Sequence, residues 1–341
     1  MSRSFWLGEH REKLVRLGVI ANPNARYVQA HPKIQQALSN LGPRRVRLTQ
    51  HLDELPAAIE DLFEHEGITV LGICGGDGTV HHTVNALIQY CRSRTSEPNN
   101  IELPPVALLR GGTLNIVARA LRVEGNTVKL IQQFEKRFAG ATLSDLPLQQ
   151  LNVLGVKDAV DHIRYGFIFG SEITALCLEL YEKRFGAGYM GLVRFLQAVL
   201  KAYLFKDELW RRFEPLLVQP AGTLRLDGQT MQYQAVVAST VDIKLLAGLI
   251  TGMEVDLTSR GTLGVRMMHP QSPGQLVRNL PNLLLGRKGH GLVDQPCVDQ
   301  LQLLEPIPYS FDGEVFSKPD GEGMMELFSP SWALPVVAPF R

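Results

Sequence analysis

Residues 68–79 read ITVLGICGGDGT, an uncharged apolar run that ends in a turn rich in glycine. The run Ile68–Cys74 is typical of a buried strand. Val80, Val84 and Leu87 then recur at the spacing of one helix face. The stretch therefore predicts a buried strand, a glycine-rich loop and a helix in immediate succession.

The same order of elements recurs on both sides of this stretch. Upstream, Leu17–Ala21 predicts a buried strand that Asn22-Pro23 interrupts. Downstream, Val106–Leu109 predicts another strand, and Gly111-Gly112-Thr113 opens a helix. Such repetition over residues 14–142 predicts an α/β domain with an open, doubly wound, mostly parallel sheet covered by helices. Ligands of these sheets bind at the carboxyl ends of the strands, where both glycine loops fall.

Beyond residue 143 the pattern changes to short alternating segments separated by turn signals. In Thr223–Tyr233, for example, Asp227-Gly228 suits a tight hairpin turn between two strands. Residues 143–329 therefore predict a second, mostly antiparallel β domain with helical insertions.

One of these insertions, Tyr189–Phe205, is apolar around most of its circumference, with a narrow polar side formed by Arg194, Gln197 and Lys201. Helices of this kind are usually buried in a protein core. The same pattern also suits a helix that contacts lipid or lines an acyl chain. The sequence leaves both interpretations open.

Composition restricts the class of protein. Lys and Arg total 35 and Asp and Glu total 34, so the net charge of +1 gives no field that would favour a nucleic acid partner. The four cysteines are scattered, which fits a reducing compartment. The amino-terminal residues carry charges throughout and do not resemble a signal peptide, and no uncharged run is long enough to span a bilayer. A cytoplasmic protein is expected.

The loop Gly75–Thr79 is the strongest chemical signal in the sequence. Glycines let a backbone turn sharply and approach a ligand closely. Thr79 can cap the following helix, whose amino-terminal N–H groups and dipole favour phosphate. The loop is neither a Walker A motif nor a dinucleotide fingerprint, because the residues that complete those motifs are missing.

Asp77 makes this loop more specific. A carboxylate about 4 Å from a phosphate costs roughly 4 kcal/mol at a surface-like dielectric. A bridging Mg²⁺ removes that conflict. Alternatively, Asp77 accepts a proton from an attacking hydroxyl. Either role points to phosphoryl transfer.

Several motifs occur together in a fixed order between about residues 17 and 337. They are Asn22-Pro23, Thr49, Gly75–Thr79, Gly112-Thr113-Leu114-Asn115 with Ala118-Arg119, Asp145, and Asp312-Gly313-Glu314. In this ordered set the chain resembles the diacylglycerol kinase catalytic-domain family of lipid kinases, which includes sphingosine kinases.

The resemblance implies an α/β nucleotide-binding domain joined to a β-sandwich domain that takes the lipid substrate, with the segment 330–341 returning to the first domain. It implies Mg²⁺ and ATP as cofactors. By analogy, the nucleotide would be held by Asn22, Pro23, Thr49, Gly75, Gly76, Asp77, Gly78, Thr79, Val80, His81, Gly112, Thr113 and Asn115. Glu314 would be the general base, with Asp77 and Asp312 also catalytic. Asp77, Asp145 and Asp312 would organise Mg²⁺ and water.

The implied activity is transfer of the γ-phosphate of ATP to a hydroxyl of a membrane lipid, either diacylglycerol-like or a sphingoid base. Such a protein would be cytoplasmic and peripheral on the inner membrane face, in reversible contact with the membrane surface. A homodimer is left open, and no nucleic acid partner is implied.

The chain departs from the family at four places, and at one of them Asn24-Ala25 replaces the usual small Ser-Gly. His82 stands where many members have Glu, and Ile116 replaces an Asp. Ser259-Arg260-Gly261 replaces the Asp-Asp-Gly that supports a structural Mg²⁺ in many bacterial members, so that second metal site is expected to be absent. Without the family resemblance, Asp312-Gly313 predicts a hairpin turn. Asp145 is then expected to be an ordinary acid in a loop, and His81 and His82 are expected at the helix surface and in loop contacts.

Two alternatives remain. NAD kinases share the GGDGT loop and phosphorylate a soluble substrate, but they carry a second motif beginning Asn-Glu, which this chain replaces with Gly112–Asn115. A catalytically weak nucleotide-binding regulator is the other alternative. His82 and Ile116 favour it, whereas Asp77 and Glu314 favour catalysis.

Overall fold

The computed structural model describes residues 11–96, 101–112, 115–180, 184–185, 189–218, 220–245, 250–256, 258–269, 272, 274–275 and 291–338. The chain divides into two compact units, Met1–Leu151 together with Ser331–Arg341, and Asn152–Pro330. The first unit runs beyond residue 142, because the strand that follows Pro147 joins its sheet.

The first unit alternates strands and helices. Its strands are β1 (Leu17–Ala21), β2 (Val46–Leu48), β3 (Val70–Cys74), β4 (Val106–Leu108), β5 (Leu148–Asn152) and β20 (Ala333–Val337). Its helices are α1 (Arg26–Ala30), α2 (Pro32–Leu41), α3 (Leu55–Glu60, continued by a π-helical turn at Asp61–His65), α4 (Asp77–Arg92), α5 (Ile116–Ala120) and α6 (Thr127–Arg137).

The sheet of this unit has the strand order β2-β1-β3-β4-β20-β5, and its pairings from β2 to β20 are parallel. Every residue of β1 and β3 is buried, as expected for strands covered on both faces. The chain moves to one side of β1 to form β2 and then to the other side to form β3. The carboxyl ends of β1 and β3 therefore flank the switch point of the sheet, where open α/β folds bind ligands.

The second unit is built mainly from short strands. These are β6 (Leu154–Lys157), β7 (Ile163–Gly166), β8 (Ile168–Gly170), β9 (Gly222–Leu226), β10 (Gln229–Tyr233), β11 (Ala235–Ser239), β12 (Ile243–Leu245), β13 (Ile250–Met253), β14 (Leu263–Met268), β15 (Leu292–Val298), β16 (Gln300–Leu303), β17 (Tyr309–Phe311), β18 (Glu314–Phe316) and β19 (Met325–Phe328). Its helices are α7 (Glu172–Leu180), α8 (Tyr189–Phe205) and α9 (Glu208–Val218).

Two antiparallel sheets form the body of this unit, with the orders β10-β9-β16-β19-β6-β7 and β15-β14-β11-β8-β17-β18. Side chains from both sheets share one buried core, in which Leu154 and Leu301 of the first sheet join Phe169 and Tyr309 of the second. This arrangement is a β-sandwich. The predicted fold class, a mostly parallel α/β domain followed by antiparallel β-structure, is confirmed.

The hairpin between β9 and β10 turns at Asp227 and Gly228, as the sequence predicts. The two residues have φ values of +47° and +78°. Positive φ at both central residues defines the turn that matches the twist of a two-residue hairpin, and Asp-Gly tolerates it well.

The helices α7, α8 and α9 form a smaller cluster with its own apolar contacts. Phe195 and Ala202 of α8 are buried against Trp210 and Phe213 of α9 and Leu180 of α7. The predicted helix Tyr189–Phe205 is therefore present, and one of its faces is a core face. Among the residues that the structure describes, no helix combines the length and apolar character needed to cross a bilayer.

Candidate active site

Asn22 connects the loops that follow β1 and β3 at the switch point. Its backbone N–H donates to the carbonyl oxygen of Cys74 at 3.0 Å. Its side-chain Nδ2 donates to Thr79 Oγ1 at 3.3 Å, and its Oδ1 accepts from the N–H of Asn24 at 2.8 Å. One side chain therefore fixes the turn after β1 and ties it to the glycine-rich loop after β3.

The two glycine-rich loops meet through their backbones. A Cβ atom built on Gly112 would lie 2.3 Å from the Cα of Gly76. One built on Gly111 would lie 2.6 Å from the backbone nitrogen of Gly75. Both distances are far below van der Waals contact, so no residue with a side chain fits at Gly111 or Gly112 without displacing the other loop.

The helix α4 begins earlier than the cap predicted at Thr79. It starts at Asp77, its N-cap residue is the extended Gly76, and no side chain caps it. The prediction that Thr79 caps this helix is wrong, because Thr79 is the third helical residue and its hydroxyl accepts from Asn22 instead. The first helical bond runs from Val80 N–H to the Gly76 carbonyl at 3.0 Å. The turn before it is the amino terminus of a 16-residue helix, where backbone and dipole favour an anion.

Asp77 lies between the first turns of two helices. Its Oδ1 accepts from the N–H of Val117, in the first turn of α5, at 3.4 Å. Its side chain is neither fully buried nor fully exposed. The carboxylate thus stands at the junction of the two glycine-rich loops, where the sequence places the acid of a phosphate site.

Asn115 shapes the second loop. It adopts a left-handed conformation with φ +48° and ψ +53° just before α5. Its Oδ1 accepts from the N–H of Gly112 at 3.0 Å, and its Nδ2 donates to the Gly112 carbonyl at 2.6 Å. These two bonds close the loop on itself and hold Gly112 against Gly76. Thr113, also predicted to bind nucleotide, lies outside the described residues.

The other residues of this unit that were predicted to bind nucleotide lie in the turn after β1, directly after β2 and in α4. Thr49 is buried directly after β2, and its N–H donates to the Ala21 carbonyl at the end of β1. Pro23 follows Asn22 in the turn after β1. Val80 and His81 are both buried in α4. The expectation that His81 lies at the helix surface is therefore wrong, because the helix packs this side chain inward, with its ring edge-on to His82 at a centroid distance of 5.0 Å.

Asp145 has a local structural contact that the sequence does not reveal. Its Oδ2 accepts from both the backbone N–H and the hydroxyl of Thr142, each at 2.8 Å. These hydrogen bonds hold the pKa of Asp145 below its usual value. They also close the short 3₁₀ turn Leu143–Asp145.

The described part of the chain holds no group of three or more His, Cys, Asp or Glu side chains arranged to bind a metal ion. Mg²⁺ is commonly held by one or two carboxylates, several waters and the phosphates of a substrate. A single carboxylate such as Asp77 beside a glycine-rich loop that was predicted to bind phosphate fits that pattern.

In the second unit, Asp312 and Gly313 form the two-residue turn of the β17–β18 hairpin, in which Phe311 pairs with Glu314. The turn residues have φ values of +50° and +94°. The hairpin-turn interpretation of Asp312-Gly313 is therefore correct. Glu314 is the first residue of β18 and is exposed.

Asp312 is buried and anchors this hairpin to β8. Its Oδ1 accepts from the N–H groups of Phe167 and Ile168 at 2.9 and 2.8 Å, and its Oδ2 accepts from Phe167 N–H at 3.1 Å. Gly166 makes room for this contact, since a Cβ there would lie 2.2 Å from Asp312 Oδ2. Sequence reasoning missed Gly166, because nothing in its neighbourhood indicates a partner almost 150 residues away.

The loop around Ser259 is held by hydrogen bonds centred on Asp256. This carboxylate accepts from the Thr258 hydroxyl, from the Ser259 hydroxyl at 2.7 Å and from the Thr258 N–H at 2.9 Å. Together these donors lower the pKa of Asp256 to about 2. The Ser259 carbonyl accepts from Asn152 Nδ2 at 2.7 Å. At the position where the family resemblance predicts a carboxylate, the Ser259 hydroxyl thus donates to a neighbouring acid.

A comparison with known protein families finds a match over most of the first unit. Residues 16–142 match the family model described as the diacylglycerol kinase catalytic domain. The match confirms the predicted resemblance over that part of the chain and supports a lipid kinase family. A comparison with curated proteins gave no match.

Solved structures show the same fold over nearly the whole chain. A diacylglycerol kinase from Bacillus anthracis str. Sterne aligns with 14% identity and a TM-score of 0.57, covering 96% of this chain and 97% of that one. A provisionally named diacylglycerol kinase from the same organism aligns with 17% identity and a TM-score of 0.61, covering 96% and 98%. At these identities the likeness establishes the fold alone.

The contact between the glycine loops predicts that a side chain at Gly112 destabilises the protein more than a side chain at Gly76 does. Gly112→Ala should lower the free energy of unfolding by roughly 1–3 kcal/mol, because its Cβ would overlap Gly76 and force the loops apart. Gly76→Ala is the matched control, since its Cβ would lie 3.5 Å from the Gly112 Cα and its backbone is extended. It should cost less than about 1 kcal/mol. Urea unfolding followed by circular dichroism measures both, and equal losses would contradict the described contact.

Proposed function

We propose that this protein is an ATP-dependent lipid kinase that transfers the γ-phosphate of ATP to a hydroxyl group of a membrane lipid. The observation that carries the proposal is the backbone contact between the two glycine-rich loops beside Asp77, at the switch point of a parallel sheet. The match of residues 16–142 to the diacylglycerol kinase catalytic domain supports the same class of reaction.

The loops suit the phosphates of a nucleotide because they offer backbone rather than side chains, and the family resemblance makes ATP the expected nucleotide. Gly75, Gly76, Gly111 and Gly112 present no side chain, so phosphate oxygens can approach the main chain closely. The amino terminus of α4 adds a favourable dipole. The proposed nucleotide site keeps all the predicted residues of the first unit, from Asn22 and Pro23 through Thr49 and Gly75–His81 to Gly112, Thr113 and Asn115.

Asp77 is the residue proposed to hold Mg²⁺ together with the nucleotide phosphates. When bound, the ion would neutralise charge on the phosphates that a bare carboxylate would repel. Asp145 and Asp312 were predicted to share this role. Their carboxylates already accept backbone N–H donors, which supports structural roles for both. A second carboxylate is not required by Mg²⁺ chemistry.

Glu314 is the proposed general base. It stands in the first position of β18, immediately after a turn whose shape is fixed by the bonds of Asp312 to Phe167 and Ile168. Asp312 therefore positions Glu314. A held, exposed carboxylate can accept the proton of an attacking hydroxyl, while alignment and charge neutralisation supply most of the rate in phosphoryl transfer.

A lipid substrate is favoured over a soluble one by two observations. The matched family is one of lipid kinases, and the second unit carries the apolar helix α8. The substrate would be diacylglycerol-like or a sphingoid base, reached by reversible contact with the inner membrane face from the cytoplasm. A phosphorylation assay distinguishes this function from the two alternatives, a kinase of a soluble substrate and a catalytically weak nucleotide-binding regulator.

The direct test is a phosphorylation assay with labelled ATP and Mg²⁺ against diacylglycerol, a sphingoid base and a monoacylglycerol in detergent micelles, with NAD as a parallel soluble acceptor. We expect label in at least one lipid product and none in NAD. Label in NAD alone would favour the soluble-substrate kinase. Binding of ATP with no transfer to any acceptor would favour the regulator.

Glu314→Gln tests the assignment of the base. The change keeps the size of the side chain and removes its charge, so kcat should fall by a factor on the order of 10² to 10⁴ while ATP affinity changes little. Glu322→Gln is a suitable control, because Glu322 is also an exposed acid of the second unit. It should leave kcat unchanged. A normal rate for Glu314→Gln would instead make Asp77 the better candidate for the base.

A further inference from the structure

The helix α8 has two apolar faces on opposite sides. One side, with Phe195 and Ala202, is buried against the neighbouring helices. On the other side, Val193, Leu200 and Leu204 are exposed to 39%, 43% and 65% of their full surface. An all-round apolar helix is normally buried all round, so the uncovered side needs an explanation.

The exposed apolar residues lie along one side of the helix, where the exposed Gln197 stands between Val193 and Leu200. Positions 193, 200 and 204 are separated by seven and four residues, which places their side chains one above another on a helix. Phe205, exposed to 72%, extends the apolar surface at the end of the helix. We call Val193, Leu200, Leu204 and Phe205 the outer face of α8. Four exposed apolar side chains on one helix are more than the scattered single residues of an ordinary surface, and such a cluster indicates a contact site.

The charged side chains of α8 itself are positive, whereas the exposed acids Asp207 and Glu208 come after the helix. The charged residues of α8 are Arg194 and Lys201, both exposed, and the helix contains no acid. Lys206 follows directly. The first acid after the helix, Asp207, accepts from the N–H of Trp210 at 3.1 Å and so caps α9. The outer face, with cations on the same helix, matches a lipid surface that carries negative head groups.

Lys206, just after the end of α8, is held over two aromatic rings. The ring of Tyr203 packs edge-on against Trp210 with centroids 4.9 Å apart. The Nζ of Lys206 lies 4.3 and 4.0 Å from the two ring centroids. Trp210 is buried in the helix cluster, so only Lys206, which is exposed and combines an apolar stem with a charged end, suits the boundary between acyl chains and water.

We propose that the outer face of α8 docks the protein on an anionic bilayer, with the helix lying in the interface. The partner is a membrane surface with negative head groups. The choice of that partner rests on the proposed function, because the substrate of a lipid kinase is delivered by the bilayer. The docking itself requires no nucleotide and no phosphoryl transfer.

Flotation with vesicles, without nucleotide, tests the apolar part of the proposal. Vesicles of phosphatidylcholine with phosphatidylglycerol should bind the wild-type protein. Leu204→Gln should weaken that binding about tenfold, because an exposed leucine gains about 1.4 kcal/mol on partial burial in lipid. Leu52→Gln is the matched control, since Leu52 lies in the first unit with a similar exposure of 59%. It should bind as the wild type does.

The charge part has its own variant. Lys201→Gln should weaken binding to vesicles with phosphatidylglycerol about fivefold, as expected for one cation near an anionic surface. It should have little effect on binding to phosphatidylcholine alone. Lys33→Gln, which removes an exposed lysine of α2, is the control and should leave both bindings unchanged.

Thermal unfolding of each variant and its kinase rate on a short-chain lipid in solution separate the possible outcomes. Weaker flotation with an unchanged unfolding temperature and an unchanged rate supports docking. Wild-type flotation by Leu204→Gln overturns it, whatever the kinase assay gives. If sedimentation shows a wild-type dimer that Leu204→Gln dissociates while flotation is unaffected, the outer face is an interface with a second copy and the proposal is wrong. Loss of kinase activity alone bears on the proposed function and not on docking.

Discussion

The first unit depends on one steric constraint, the contact of Gly112 with Gly76. The two residues follow neighbouring parallel strands, β4 and β3, so their loops must share the same edge of the sheet. Without side chains the loops meet backbone to backbone, and a Cβ on Gly112 would lie 2.3 Å from the Cα of Gly76. That approach sets Asp77 beside the first turn of α5 and lets Asn22 reach Thr79. The absence of a side chain at Gly111 and Gly112 is thus a consequence of one packing requirement.

In the second unit, the β17–β18 hairpin holds the carboxylate of Glu314 next to an exposed turn. The turn Asp312-Gly313 uses a left-handed conformation at both residues, and such a turn could shift if nothing secured it. The bonds from Phe167 and Ile168 to the buried carboxylate of Asp312 secure it. The three residues therefore have different structural roles: Asp312 is the anchor, Gly313 is a turn residue and Glu314 is an exposed acid.

Much of the fold was predictable because it follows from local rules. The uncharged apolar runs at Leu17–Ala21 and Val70–Cys74 are strands. Strands of a parallel sheet are covered on both faces, so their sequences are apolar at nearly every position. The Asp227-Gly228 turn was predictable because few dipeptides tolerate positive φ twice. The close approach at Gly111 and Gly112 was indicated by the density of glycines in the two loops, although these glycines have no positive φ. These signals lie within a dozen residues of the feature that they predict.

The errors and omissions arise where distant residues decide the outcome. Thr79 looks like a cap, but the contact of Gly76 with the second loop starts the helix earlier. His81 was expected at the surface because sequence spacing does not show which side of a helix the sheet covers. Gly166 gives no signal at all, since its partner Asp312 is almost 150 residues away. For α8, periodicity could not tell a core helix from a lipid-contacting one, and the structure shows a buried and an exposed face on the same helix.

The central claim is that the paired glycine loops and Asp77 form a site for ATP together with Mg²⁺. Titration calorimetry of ATP into the wild-type protein and into Asp77→Asn, each with Mg²⁺ and with EDTA, tests it most directly. The account predicts that EDTA weakens binding to the wild type by at least about tenfold, because the Asp77 carboxylate then repels the phosphates. It also predicts that this metal dependence largely disappears in Asp77→Asn. Equal affinity of the wild type for ATP with Mg²⁺ and with EDTA would contradict the account.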